Sequence, residues 1–190
     1  MKEIEILVKI EDTKSNVLKT LSEYERVGIK ETLDIYFYDP LRKDLQPEKD
    51  FRLKRSFRLR KKDGNFFLTY KIDNFDKDNK WIYSNEHETG VDKFEELMKT
   101  IKHLGFKELV RIENKKHTFK TTNYEIVFED VKNLGYFLEV EKMSEVSDDK
   151  VAEVKQEIRE FIKSLNIKVG NELNAGKPEL MLRVLKNGIF

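Results

Sequence analysis

The chain has 190 residues, with Lys+Arg 37 against Asp+Glu 36 and a formal net charge of +1. That near balance argues against wholesale nucleic-acid binding, which calls for a clear basic excess. The absence of cysteine excludes disulfides, thiolate zinc sites and cysteine nucleophiles. No segment is long enough to span a membrane, and the first residues enter a strand rather than the apolar run of a signal peptide, so a cytoplasmic protein with no membrane partner is expected. With no internal repeat and no dividing linker, residues 1-190 read as one domain.

The first strand, residues 3–10, alternates with a period of two. Glu3, Glu5, Leu7 and Lys9 share one face, and Ile4, Ile6, Val8 and Ile10 share the other. Asp12 or Thr13 can cap a helix carrying Val17, Leu18 and Leu21, which should end before Gly28. Residues 32–38 read as a strand stopped at Asp39-Pro40, and 41–50 as a mobile charged loop. Residues 51–61 form a long strand with Arg52, Lys54, Arg58 and Arg60 on one face. Asp63-Gly64 is a hairpin signal leading into a strand over 65–72. After a polar loop, 81–89 reads as a strand with Glu86 and Glu88 sharing a face.

Asp92 and Glu95 have capping-box spacing before a helix that Gly105 ends. Strands follow over 108–119, 124–129 and 135–142. A helix then runs from about Asp148 to Leu165, and Pro178 opens a short one through Leu185.

The chemistry lies in the charged faces. Glu3/Glu5, Glu86/Glu88 and Glu139/Glu141 are i,i+2 acidic pairs on strands, and Arg58/Arg60 is a basic one. Any single pair is usually a solvated face. Nearly every strand, however, has one good apolar face and one bearing long charged side chains. A sheet closed on itself with helices outside would enclose both signs. Carboxylate clusters suit Mg²⁺ or Mn²⁺, and paired arginines suit phosphate. Acid and base together specify a metal-bound polyphosphate. His87 lies on the face opposite Glu86 and Glu88, His103 and His117 lack metal-like spacing, and Lys177 reads as a solvated lysine ahead of a cap on the tunnel.

Several motifs together resemble the CYTH superfamily, also called triphosphate tunnel metalloenzymes. They are Glu3-x-Glu5, Asp34-x-Tyr36-Phe37, Phe57-Arg58-Leu59-Arg60, Leu68-Thr69-Tyr70-Lys71, Glu86-x-Glu88, Leu104-Gly105-Phe106, the run from Leu134 to Glu141, and Pro178-Glu179-Leu180. The resemblance implies an α+β fold: an antiparallel eight-stranded tunnel barrel with helices packed on the outside. It implies that Glu3, Glu5, Glu129, Glu139 and Glu141 bind Mg²⁺ or Mn²⁺. It further implies that Lys9, Arg58, Arg60, Lys71 and Lys116 hold phosphates, and that Glu86 and Glu88 complete the acidic lining. Three positions depart from the family pattern. Leu7 stands where a lysine is usual, which shifts that charge to Lys9. Asn114 and Lys116 replace a Lys-x-Arg pair, so Arg111 or Lys115 would compensate. Ser84 replaces an arginine. The implied partner is a triphosphate-containing small molecule, with a homodimer by analogy. A triphosphate hydrolase leads; an adenylyl cyclase and a non-catalytic polyphosphate-binding module are the alternatives.

Overall fold

In the computed structural model, residues 2–142 and 150–187 are described, apart from the side chains of Lys2, Glu3 and Asn187. One antiparallel sheet contains every strand. It comprises β1 (Lys2–Glu3), β2 (Glu5–Ile10), β3 (Glu25–Tyr38), β4 (Arg55–Lys62), β5 (Asn65–Phe75), β6 (Trp81–Gly90), β7 (Lys107–Lys120), β8 (Tyr124–Val131), β9 (Gly135–Lys142) and β10 (Val169–Glu172). Their order is β1-β6-β5-β4-β3-β7-β8-β9-β2-β10. Four helices, α1 (Lys14–Leu21), α2 (Phe94–His103), α3 (Val151–Ser164) and α4 (Lys177–Asn187), lie outside the sheet.

The first ten residues close the circuit. Lys2 and Glu3 pair with Asn85 and Ser84 of β6, whereas Glu5 to Lys9 pair with Glu141 to Phe137 of β9. β1 and β2 are separated only by Ile4, whose carbonyl still accepts from Lys142 N at 3.1 Å. Counted as one strand, they complete an eight-stranded ring, which removes the exposed edges of an open sheet. β10 is an addition: Glu172 and Val169 pair with Val8 and Ile10 on the remaining edge of β2.

Alternation sorts the apolar side chains outward on most strands. Ile4, Ile6, Val8 and Ile10 pack with Ile126, Phe128, Leu138 and Val140 under α1 and α3. Ile35, Phe37 and Leu59 receive Met98 and Ile101 of α2. The third cluster differs, because Leu7, Tyr36 and Ile112 also line the interior cavity and meet Met181 of α4. Helix α4 therefore covers one mouth of the barrel.

The elements differ from the sequence reading in definable ways. Helix α1 stops at Leu21 and β3 begins at Glu25, so residues 25–31 extend that strand through Gly28. The Thr13 hydroxyl does cap α1, accepting from Asn16 N at 3.3 Å. The strand expected from residue 51 begins at Arg55, because Phe51 adopts a φ of 68° and breaks the extended run. No capping box forms at α2, where the N-cap is Lys93 without a side-chain hydrogen bond. Asp63 and Gly64, with φ of 50° and 81°, make the expected hairpin. The start of α3 expected near Asp148 lies outside the described residues, as does Gly188.

Ile158 of α3 has no solvent exposure. Ile158→Ala should lower unfolding stability by about 2–5 kcal/mol, read as a reduced urea midpoint at unchanged slope. An unshifted midpoint would refute the packing of α3 against the barrel.

Candidate functional site

The polar faces of the strands converge on a cavity of about 280 Å³. Its wall includes Lys30, Asp34 and Tyr36 of β3, Arg58, Arg60 and Lys62 of β4, Lys71 of β5 and Glu86 of β6. The opposite wall brings Asn114 and Lys116 of β7, Glu139 and Glu141 of β9, and Glu5 of β2. Lys177 and Glu179 enter from the start of α4. Alternate residues of a strand point the same way, and the register sets Lys71 opposite Glu86, Lys116 opposite Glu129 and Glu5 opposite Glu141.

The ions are arranged as two linked groups. In one, Arg60 grips Asp34 with both ends of its guanidinium, Nε to Oδ1 at 2.7 Å and Nη2 to Oδ2 at 2.8 Å. Arg58, 8% exposed, donates to the Tyr36 hydroxyl at 3.2 Å and to Glu86 at 3.3 Å, and stands 3.8 Å from Asp34. Lys71 lies 3.8 Å from Glu86. Burial alone would raise the Asp34 carboxyl, but its bonds to Arg60 and the charges of Arg60 and Arg58 outweigh that and hold it at about 2.

The second group surrounds Glu129, which is 0% exposed. Lys116 approaches one of its oxygens at 2.6 Å and Lys177 the other at 2.8 Å. Lys177 also pairs with Glu139, and Lys116 lies 3.8 Å from that carboxylate. Burial opposes ionisation of Glu139, yet the two ammonium groups hold it well below the usual carboxylate range. Lys177 is held above the ordinary lysine value despite its burial, because Glu129 and Glu139 face it.

Among the described residues, Glu179 has no basic partner of this kind. Its Oε1 accepts from the backbone N–H of Leu53 at 3.2 Å, and Oε2 is buried without a hydrogen bond. Oε2 packs so closely on Gly176 that a Cβ there would lie 2.9 Å away. Burial, aided by the nearby charge of Asp73 and only partly opposed by backbone hydrogen bonds, pushes this carboxyl up to about 7.

Of the residues singled out from the sequence, Glu5, Arg58, Arg60, Lys71, Glu86, Lys116, Glu139 and Glu141 line the cavity, and Glu129 lies behind Lys116. Four others are not brought in. Lys9 sits one pleat past Leu7 and is exposed. Arg111 and Lys115 have the opposite parity to Asn114 and Lys116, so they lie on the outer face, paired with Glu108 and Glu31. They therefore do not compensate inside the tunnel for the missing Lys-x-Arg pair. Glu88 is exposed at the rim and accepts from the Thr69 hydroxyl at 2.9 Å. The Glu3 side chain lies outside the described residues. Lys177, read as solvated, is instead a buried member of the network. Lys30 and Lys62 also line the cavity, although both lie just outside the strand bounds read from the sequence.

Among the described residues, no three acidic or histidine side chains form a ready metal cluster. The donor chemistry nevertheless fits a divalent cation. Glu5 and Glu141 are directly opposed on β2 and β9, and Glu125 opposes Glu141 from β8. All three reach the cavity. Like charges in direct register are destabilising unless a cation joins them. An all-oxygen set suits Mg²⁺ or Mn²⁺.

With this geometry in place, comparison with known proteins is informative. The CYTH domain model matches residues 1–176, and the chain belongs to that family. A Methanocaldococcus jannaschii protein named "Putative adenylate cyclase" is 37% identical over 185 residues, covering 95% of this chain and 98% of its own. Among solved structures, the PH1819 protein of Pyrococcus horikoshii superposes with a TM-score of 0.75 at 21% identity, covering 95% of this chain and 99% of its own. A Hippeastrum protein, titled a "putative adenylyl cyclase" that reveals a dominant triphosphatase activity, gives 0.62 at 15% identity over 99% and 97%. Both show the shared fold.

The environment of Glu179 makes a pH-dependent prediction. Its ordinary value is 4.5 and its folded value about 7, so the folded state holds more protons across that window. This group's contribution to stability must then decline as pH rises from about 4.5 through 7. Glu179→Gln keeps an oxygen for Leu53 N–H and abolishes the ionisation. Relative to wild type, the variant should gain up to about 3 kcal/mol between pH 5 and 8. Parallel stability profiles in urea would contradict the assignment.

Proposed function

We propose that the chain is a divalent-metal-dependent hydrolase of triphosphates, acting on inorganic tripolyphosphate or on nucleoside and other organic triphosphates inside the barrel. The observation that carries this reading is one cavity in which Arg58, Arg60, Lys71, Lys116 and Lys177 stand among in-register carboxylates. The basic wall offers forked and single-point donors to phosphate oxygens. Arg60 and Arg58 are already oriented by Asp34, Tyr36 and Glu86, so little ordering remains when an anion arrives. Glu5, Glu139 and Glu141 would hold Mg²⁺ or Mn²⁺, which would neutralise phosphate charge and polarise the phosphoryl group. In hydrolysis a water oxygen bonds to the terminal phosphorus as its bond to the bridging oxygen breaks. Arg58 and Lys71 would stabilise the charge that develops on that fragment. The Hippeastrum protein's titled triphosphatase activity favours this chemistry.

The adenylate cyclase name of the 37% identical archaeal relative favours a second reading. There the ribose 3′ hydroxyl of ATP attacks the α-phosphorus and pyrophosphate leaves. Phe75 and Trp81 at the cavity wall offer apolar surface for an organic group in either case.

Incubation with tripolyphosphate and with ATP, each with Mg²⁺ or Mn²⁺, should release inorganic phosphate. Cyclic AMP and pyrophosphate as the main products would establish the cyclase instead. Arg58→Ala should reduce kcat roughly 10²–10³-fold while circular dichroism stays unchanged. Glu141→Gln should abolish metal-dependent turnover, as should chelation; full activity in either test would reject the metal assignment.

A further inference from the structure

Strands β5 and β6 carry an aromatic pair into the cavity wall. Phe75 and Trp81 are register partners, both are half-buried, and both line the cavity. Phe75 lies four residues past Lys71 on β5, about 13 Å at the usual rise of a strand. That length leaves room for a sugar between a ring held at Phe75 and phosphates at Lys71.

Trp81 is fixed at four points. Its backbone N–H donates to Asn174 Oδ1 at 2.5 Å, and its carbonyl accepts from Lys155 Nζ at 3.0 Å. The indole N–H donates to Ser84 Oγ at 3.0 Å, and Ser84, which has no solvent exposure, donates onward to Asp73 at 2.5 Å. The Lys155 ammonium also stands 4.5 Å from the ring centroid and is paired with Glu172 at 2.8 Å. Because Lys155 comes from α3, outside the barrel, it backs the indole from the side away from the cavity. A ring held in this way loses little freedom when another stacks on it.

Phe75 has a cation of its own. The Arg52 guanidinium lies 5.0 Å from its ring centroid, 3.5 Å from Asp50 and against the same cavity, and its Nε is buried without a hydrogen bond. Both rings thus already bear a cation on one face. A cationic ring stacked on either would add a like charge at close range where the dielectric is low. A neutral heteroaromatic ring stacks without that repulsion, and its lone pairs can accept from Arg52.

We propose that Phe75 and Trp81 form the subsite for the organic group of the substrate, and that this subsite takes a neutral heteroaromatic ring, as in a nucleoside triphosphate, and discriminates against a cationic one. The proposal rests on reading the barrel as a triphosphate site.

Trp81 is the single tryptophan of the chain, so its emission reports directly on stacking. In metal-free buffer, which stops metal-dependent turnover, ATP should change that emission and tripolyphosphate should leave it nearly unaltered. In calorimetric titrations of the whole chain, Trp81→Ala should weaken ATP binding about 5–150-fold and change tripolyphosphate binding less than about twofold. Trp81→Phe, which keeps a ring, should recover most of the ATP affinity. N1-methyl-ATP, whose base is cationic at neutral pH, should bind about threefold or more weaker than N6-methyl-ATP, which is neutral and carries the same added methyl group. Equal weakening of ATP and tripolyphosphate by Trp81→Ala, unaltered ATP binding in that variant, or equal affinity for the two methylated nucleotides overturns this proposal alone. Failure of both ATP and tripolyphosphate to bind the wild-type chain overturns the triphosphate reading with it.

Discussion

Mutual neutralisation of charge inside a closed sheet governs this molecule. An isolated ion taken from water into a protein interior costs several kcal/mol, and a pair repays this only with good geometry. The bidentate Arg60–Asp34 contact meets that condition, and two ammonium groups stand 2.6 and 2.8 Å from the oxygens of buried Glu129. The consequence runs outward from there. Because one face of nearly every strand is committed to the lumen, the apolar face must be covered from outside. Helices α1, α2 and α3 do this with Val17, Met98, Ile158 and their neighbours. Closure through Lys2–Ile10 is equally necessary, since an open edge would admit water to the ionic network.

Much of this could be read from the chain because strand alternation survives tertiary packing. The parity of Arg58 with Arg60, and of Glu139 with Glu141, was visible in the sequence and decided which charges face inward. The same rule, applied strictly, would have separated Arg111 and Lys115 from Lys116. The outer pairing of Lys115 with Glu31 follows from that single step of phase, whereas Arg111 meets Glu108 across a register shift in β7. Lys9 is a different matter: its parity is correct, but it lies past Leu7, where α4 already fills the barrel, and alternation carries no information about where a lumen ends. Lys30 was hidden by the end of α1, since residues 25–31 show weak alternation and acquire strand structure only through long pairing with β7. Lys177 was illegible for another reason. Its partners Glu129 and Glu139 are 48 and 38 residues away, and nothing local distinguishes it from a solvated lysine at a helix start.

The plug also changes how the acidic side of the tunnel should be understood. Helix α4 lies just beyond the stretch matched by the CYTH model, yet its first residue supplies a cation to two lumen carboxylates. Any divalent ion attracted to Glu139 meets Lys177 and Lys116 already there. Glu5, Glu141 and Glu125 stand in one line of register across β2, β9 and β8, and like charge in register favours a cation between them. Glu139, which already faces Lys177 and Lys116, would share its charge between those lysines and a bound cation.

These features give the tunnel a direction. One end is closed by Met181 on Leu7, Tyr36 and Ile112, with a neutralised acid–base network just inside. The other carries Lys30 and Lys62, half-buried at the cavity wall. An anion that advances toward Arg58 and Arg60 finds guanidinium groups already fixed by Asp34, Tyr36 and Glu86, so binding does not pay to order them. On the proposed triphosphate reading, the most negative part of the substrate would lie among these guanidinium groups.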